Sequence, residues 1–193
     1  MRARMVLEEK AIPHRIIEEN LSALSSELLA LHPEGRVPVL VHETAHETST
    51  NRQVIYQSTI ITEYLDEVFG GPRLMPADAA ARAQVRLWSY WCDEIFKPDL
   101  DLYKYELSKL SDAEAAGLRA RLSKHLSHWD SALRGSDFLV TKQMTLADIH
   151  LFPFARQFFA IKPPLPGLET YSAIAQWLER MTNRPAFARV MSQ

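Results

Sequence analysis

Two short stretches of this 193-residue chain carry groups that could hold a peptide or an anion. The first is Arg36-Val37-Pro38-Val39-Leu40. A proline opening a strand removes one backbone donor. That suits an edge position, or a place where the carbonyl and amide before it face a ligand. A cis Val37-Pro38 bond would turn the Val37 backbone outward to meet an extended peptide. Spacing alone favours a trans proline, since only about 5–6% of X-Pro bonds in folded proteins are cis. The second stretch is Tyr56-Gln57-Ser58-Thr59-Ile60-Ile61. Here a strand is predicted to end and a helix to begin, with Ser58 as N-cap. The free amides and dipole of a helix start attract a carboxylate, and the Gln57 amide could bond an amino or carboxylate group. Taken in isolation, a serine that merely caps its helix is the better account.

Other candidates have plainer readings. Thr145-Leu146-Ala147-Asp148 has the spacing of a capping box ahead of an apolar helix, so Thr145 and Asp148 read as a structural cap. Cys92 is the only cysteine and lies among Trp88, Trp91 and Phe96, which suits a small buried hydrophobe better than a redox group. Trp88 and Trp91 share a helix face and read as core or as a subunit contact. Tyr103 and Tyr105 could line a cleft for an apolar co-substrate, with ordinary surface packing an equal alternative. His125 and His128 are three apart, but spacing places no carboxylate or third ligand near them, so no metal site is expected.

These residues need elements to position them. Residues 2–11 read as a helix ended by Pro13, His14–Glu18 as a short strand and Leu21–Leu31 as a helix. Val37–Val41 and Gln53–Tyr56 read as strands separated by a polar loop from Glu43 to Arg52, long for a hairpin. Ser58–Phe69 has helical spacing. Beyond Gly70-Gly71-Pro72 the pattern is almost wholly helical: Ala77–Glu106 with a kink at Pro98, Ser111–Leu133, Thr145–Ala160, Ser172–Thr182 and a short helix from Pro185. The expected domains are 1–70, a linker 71–76, and 77–193. Hydrophobic residues make up 47%, charged residues 24%, and the net charge is −2, which is ordinary for a globular protein. No basic stripe points to nucleic acid, and no apolar run reaches the roughly 20 residues of a membrane span. One cysteine and no signal-peptide pattern fit a reducing cytoplasm.

Taken together and in this order, the motifs resemble the glutathione transferase superfamily. Residues 4–12 look like that family's first helix, and Leu31–Val41 like its loop and cis-proline strand. Tyr56–Asp66 look like its Glu/Gln-Ser glutathione motif and third helix. Leu74-Met75-Pro76 followed by Arg82 looks like the approach to its helical domain, and Thr145–Asp148 like its helix cap. The resemblance spans essentially the whole chain. It implies an α/β thioredoxin-like N-terminal domain followed by an all-α C-terminal domain. Arg36, Val37 and Pro38 would meet the cysteinyl unit of glutathione through the Val37 backbone. Gln57 and Ser58 would hold the γ-glutamyl end, and the helix from Ala77 would form the other wall of the cleft.

In that family a strand and a turn precede the first helix, and the turn carries the serine, tyrosine or cysteine that acts on the glutathione sulfur. Met1 already stands at the first helix, and no Tyr, Ser or Cys occurs before Pro13. The N-terminal domain is therefore expected to lack its first strand, with no catalytic residue in this chain, as in a truncated chain or one with a misplaced start. The implied function is conjugation of glutathione to small hydrophobic electrophiles by the full-length form, as a cytoplasmic homodimer. Two alternatives stand beside it. One is a non-catalytic, protein-binding regulator similar to the stringent starvation protein A group. The other is a glutathione-dependent reductase or isomerase.

Overall fold

A computed structural model describes residues 1–46 and 49–192. The chain forms two compact units, Met1–Pro72 and Arg73–Gln193. The first contains α1 (Arg2–Glu9), α2 (Ser26–Leu31), the antiparallel strands β1 (Val39–His46) and β2 (Ser49–Tyr56), and α3 (Ser58–Val68). Among the described residues its sheet has these two strands, in register from Val39 opposite Tyr56 to His46 opposite Ser49.

Helix α1 packs along α3. Its buried stripe is Arg2, Val6 and Lys10, spaced i, i+4, i+8, with Met5 beside it. Two of those three buried residues are cations, and each has a partner on α3. Arg2 Nη1 donates to Ser58 Oγ at 3.3 Å, and Lys10 Nζ donates to Asp66 Oδ1 at 3.0 Å. Both bonds join residues 56 apart, so the helices run parallel and are pinned at both ends. Lys10 Nζ also donates to the Pro72 carbonyl at 3.0 Å.

Three elements of the first unit differ from the sequence reading. The polar stretch Glu43–Arg52 is not a long loop. Both strands extend through it to His46 and Ser49, because the cross-strand ladder overrides the polar composition; residues 47 and 48 lie outside the described residues. His14–Glu18 does not form a strand. Ile16 and Ile17 are adjacent, so they cannot share a face, and among the described residues no strand lies alongside to take their backbone groups. Helix α2 starts at Ser26 rather than Leu21. Ser25 is a strong cap: its Oγ accepts the Leu28 amide at 3.1 Å, and its hydroxyl donates to Glu19 at 2.7 Å.

The second unit is helical. Helix α4 (Ala79–Tyr90) continues through a π-helical turn (Trp91–Phe96), α5 (Lys97–Asp101) and a second π-helical turn (Leu102–Glu106). Pro98 therefore sits between two widened turns, where its missing amide and its ring are accommodated without ending the helix. Then come α6 (Asp112–Leu133), α7 (Leu146–Phe159), α8 (Ser172–Thr182) and α9 (Pro185–Met191). The core includes Leu118, Leu122, Leu126 and Trp129 from α6, Leu151 and Phe152 from α7, and Ile174 and Trp177 from α8.

Asp148 ties this core together. Its carboxylate accepts the Thr145 amide at 2.8 Å, the Thr145 hydroxyl at 3.0 Å, the Leu139 amide at 3.0 Å and the Trp177 indole N–H at 2.9 Å. The cap thus also fixes a loop and a second helix, neither of which its local spacing reveals. Trp88 is buried in the same unit and stacks on His128, so it is not a free subunit-contact surface. The outward side of α4 shows Leu87 and Tyr90 instead.

Candidate functional site

The register of the hairpin sets the geometry. Val39 lies opposite Tyr56, so Val37-Pro38 and Gln57-Ser58 flank the same pair at the open end of the two strands. Val37 and Gln57, 20 apart in sequence, thus both lie just beyond the last pair of the ladder. The Val37-Pro38 peptide is cis, and the Val37 side chain is 46% exposed. A second cis peptide, Lys162-Pro163, lies in the helical unit, and nothing in the sequence reading singled it out. Arg36 points to solvent and pairs with Glu34 at 2.9 Å.

The head of α3 departs from expectation in one respect. The N-cap is Gln57, not Ser58; Ser58 is the first residue inside the helix. Gln57 has φ 70° and ψ 118°, a left-sided conformation that costs a non-glycine residue about 1–3 kcal/mol. Its carbonyl still closes the first turn, accepting the Ile61 amide at 2.9 Å. Among the described residues, the Gln57 side chain makes no capping bond to α3. The leading amides of α3 keep their capacity to bind an anion, and the helix dipole adds to it. Ser58 Oγ is free of capping duty and accepts from the buried Arg2 guanidinium instead. Arg2 was missed by the sequence reading. The signal that could have found it is a cation on the buried i, i+4, i+8 stripe of α1.

The other candidates scatter. Tyr103 is only 4% exposed and packs near Phe158, whereas Tyr105 is 58% exposed with Lys104 over its ring. The two tyrosines therefore do not share one surface. Cys92 is fully buried, its thiol 3.8 Å from the His150 carbonyl. His125 does meet a carboxylate, one that spacing could not reveal: its Nε2 lies 3.0 Å from Asp99 Oδ2, while Arg121 grips the same carboxylate through Nε and Nη2. Burial pushes the Asp99 carboxyl upward, but hydrogen bonds from Arg121 and His125 outweigh it and hold the group below the usual carboxylate range. His128 instead stacks on Trp88. Among the described residues no three His, Cys, Asp or Glu side chains converge as a metal site, and no helix is long and apolar enough to cross a membrane.

Comparison with known proteins bears on both units. The family model of the glutathione S-transferase N-terminal domain matches residues 1–68, and that of the C-terminal domain matches residues 99–185. Glutathione S-transferase 3 of Glycine max is 32% identical over 162 residues, covering 82% of this chain and 68% of the relative. The chain belongs to the glutathione transferase superfamily. The Tau class glutathione S-transferase of mango, Mangifera indica, superposes with a TM-score of 0.82 at 25% identity, covering all of this chain and 87% of that one. A stringent starvation protein A homolog from Histophilus somni is 25% identical over 190 residues, covering 98% of this chain and 84% of the relative. The transferase family binds glutathione.

Proposed function

We propose that this chain binds glutathione with Val37 and Pro38 at the cysteinyl unit and with Gln57 and Ser58 at the γ-glutamyl end, and that its reaction is conjugation to small hydrophobic electrophiles. The observation that carries the reading is the N-terminus of α3, which the Gln57 side chain does not cap, set beside Val37 by the Val39–Tyr56 register. Leading amides, a helix dipole and the Ser58 hydroxyl suit the charged γ-glutamyl end, and the neighbouring backbone suits the peptide. Arg36, exposed beside this pair, is assigned to the edge of the site. These residues bind; activation of the sulfur is assigned to none of them. A thiol of pKa near 8.5 is mostly protonated at neutral pH, so turnover depends on a group that stabilises the thiolate.

Calorimetry with glutathione tests the binding half. Ser58→Ala should weaken affinity by about 1–2 kcal/mol, the usual worth of a hydrogen bond to a charged group. An unchanged affinity refutes the assignment. A second reading, a non-catalytic regulator that binds another protein, is favoured by the relationship to a stringent starvation protein A homolog. Glutathione-agarose separates the two: retention favours the transferase reading, and passage through the column favours the regulator. A glutathione-dependent reductase or isomerase would share the binding site and differ in its product. We also assign a homodimer, because Leu87 and Tyr90 on the outward side of α4 form an apolar pair exposed to solvent, and a cytoplasmic location, in keeping with a single, buried thiol.

A further inference from the structure

A concavity of about 520 Å³ opens in the helical unit where the C-terminal end of α6 meets the start of α8. Three cations line it: Arg134, Lys142 and Arg180. Ser136, Ser172 and Gln176 supply polar groups, and Leu133 and Ala173 supply its small apolar area. The site uses no residue assigned to glutathione and stands independently of that reading.

The local charges do not cancel. Asp130, buried on the last turn of α6, accepts the Ala173 and Ile174 amides at 3.0 and 3.3 Å and pairs with Arg134 at 3.2 Å. Arg180 is held by Asp137, through the carbonyl at 3.1 Å and the carboxylate at 2.6 Å, with its guanidinium 5.9 Å over the Phe138 ring. Two carboxylates thus answer two arginines. Lys142 is left over: among the described residues its ammonium has no carboxylate or carbonyl partner, nor do the Ser172 hydroxyl and the Gln176 amide have one. A cation without a partner, on a polar hollow that two arginines also line, is suited to an anion, and each paired arginine has further N–H donors to offer it.

The volume narrows the class. It falls in the range of about 300–1,000 Å³ typical of small-molecule sites and far exceeds what one phosphate group needs. Beyond the cations the lining combines the apolar Leu133 and Ala173 with hydroxyl, amide and carboxylate groups, and the latter suit a body that carries hydroxyls. We propose that this concavity binds a phosphorylated polyhydroxy small molecule, with Lys142, Arg134 and Arg180 around the phosphate and Gln176, Ser172 and Asp137 meeting the hydroxyls.

The test is heteronuclear NMR of the full chain, titrated separately with inorganic phosphate, glucose 6-phosphate and glucose, with ionic strength held constant by sodium chloride. Saturable shifts are expected at residues 134–137, 142 and 172–176. Glucose 6-phosphate should bind about fivefold or more tightly than inorganic phosphate, reflecting added hydrogen bonds. Lys142 is exposed, so its replacement leaves the fold intact. Lys142→Ala should weaken glucose 6-phosphate about fivefold, and Lys142→Arg should restore it. No saturable shift, equal affinity for phosphate and glucose 6-phosphate, or a Lys142→Ala titration identical to that of the parent would each overturn the proposal.

Discussion

The ion pair between Lys10 and Asp66 offers a sharp test of what holds α1 against α3. Its two side chains are 1% and 4% exposed, and the ammonium donates to both the Asp66 carboxylate and the Pro72 carbonyl. Lys10→Met removes the ammonium and takes its countercharge from a buried carboxylate. Asp66→Asn removes the countercharge and leaves the ammonium with neutral acceptors, the Pro72 carbonyl among them. Breaking a buried pair from one side costs about 3–5 kcal/mol, because the remaining charge stays desolvated. Whole-domain stability is only about 5–15 kcal/mol, so either change should consume a large share of it. The double change Lys10→Met, Asp66→Leu removes both charges and should be more stable than either single variant, since isosteric apolar replacement of a buried pair is often neutral. Urea unfolding followed by circular dichroism, with hydrogen exchange at α3 amides to localise the loss, measures all four proteins. Single-variant losses below about 1 kcal/mol, the range of exposed pairs, would show that water reaches the pair and that burial is not what makes it matter.

Other outcomes follow from the same reasoning. Asp148→Ala should destabilise the helical unit by about 3 kcal/mol or more, because the Leu139 amide and the Trp177 indole lose a buried acceptor; a thermal midpoint unchanged from the parent would refute its role as a hub. Asp148 and Asp99 should act oppositely on pH. Burial raises Asp148 against its hydrogen bonds, so its contribution is present below the ordinary carboxylate pKa of 3.8 and declines as pH rises through the raised value. Asp99 is depressed, so its contribution is present above 3.8 and is lost as pH falls through the lowered value; Asp99→Asn should therefore flatten the acid limb of a stability–pH curve. Leu87→Arg with Tyr90→Glu should shift a homodimer to monomer in light scattering at micromolar concentration, and a monomeric parent would remove the assigned interface.

Periodicity and capping chemistry, both local, determine much of this molecule. Eleven residues from Ser58 to Val68 form a helix because their apolar side chains recur at helical spacing, and the Ser111–Glu114 and Thr145–Asp148 pairs start helices because each satisfies amides within one turn. Pro185 opens the last helix for the same kind of reason, its missing amide being one the helix does not need. The order of these elements was enough to suggest the family. Interactions between distant residues were beyond that reading. Ser25 and the cross-strand ladder set three element boundaries, the start of α2, the end of β1 and the start of β2, that composition places elsewhere. Gln57, not Ser58, occupies the N-cap position of α3, where the chain leaving β2 turns through a positive φ just before the helix. Arg2 and Lys10 meet partners 56 residues away, and Asp99 reaches His125 across 26. Such pairings depend on which faces the packed helices present to one another. Hydrophobic spacing states only that a face is buried; the partner that neutralises a buried charge is decided when the elements dock.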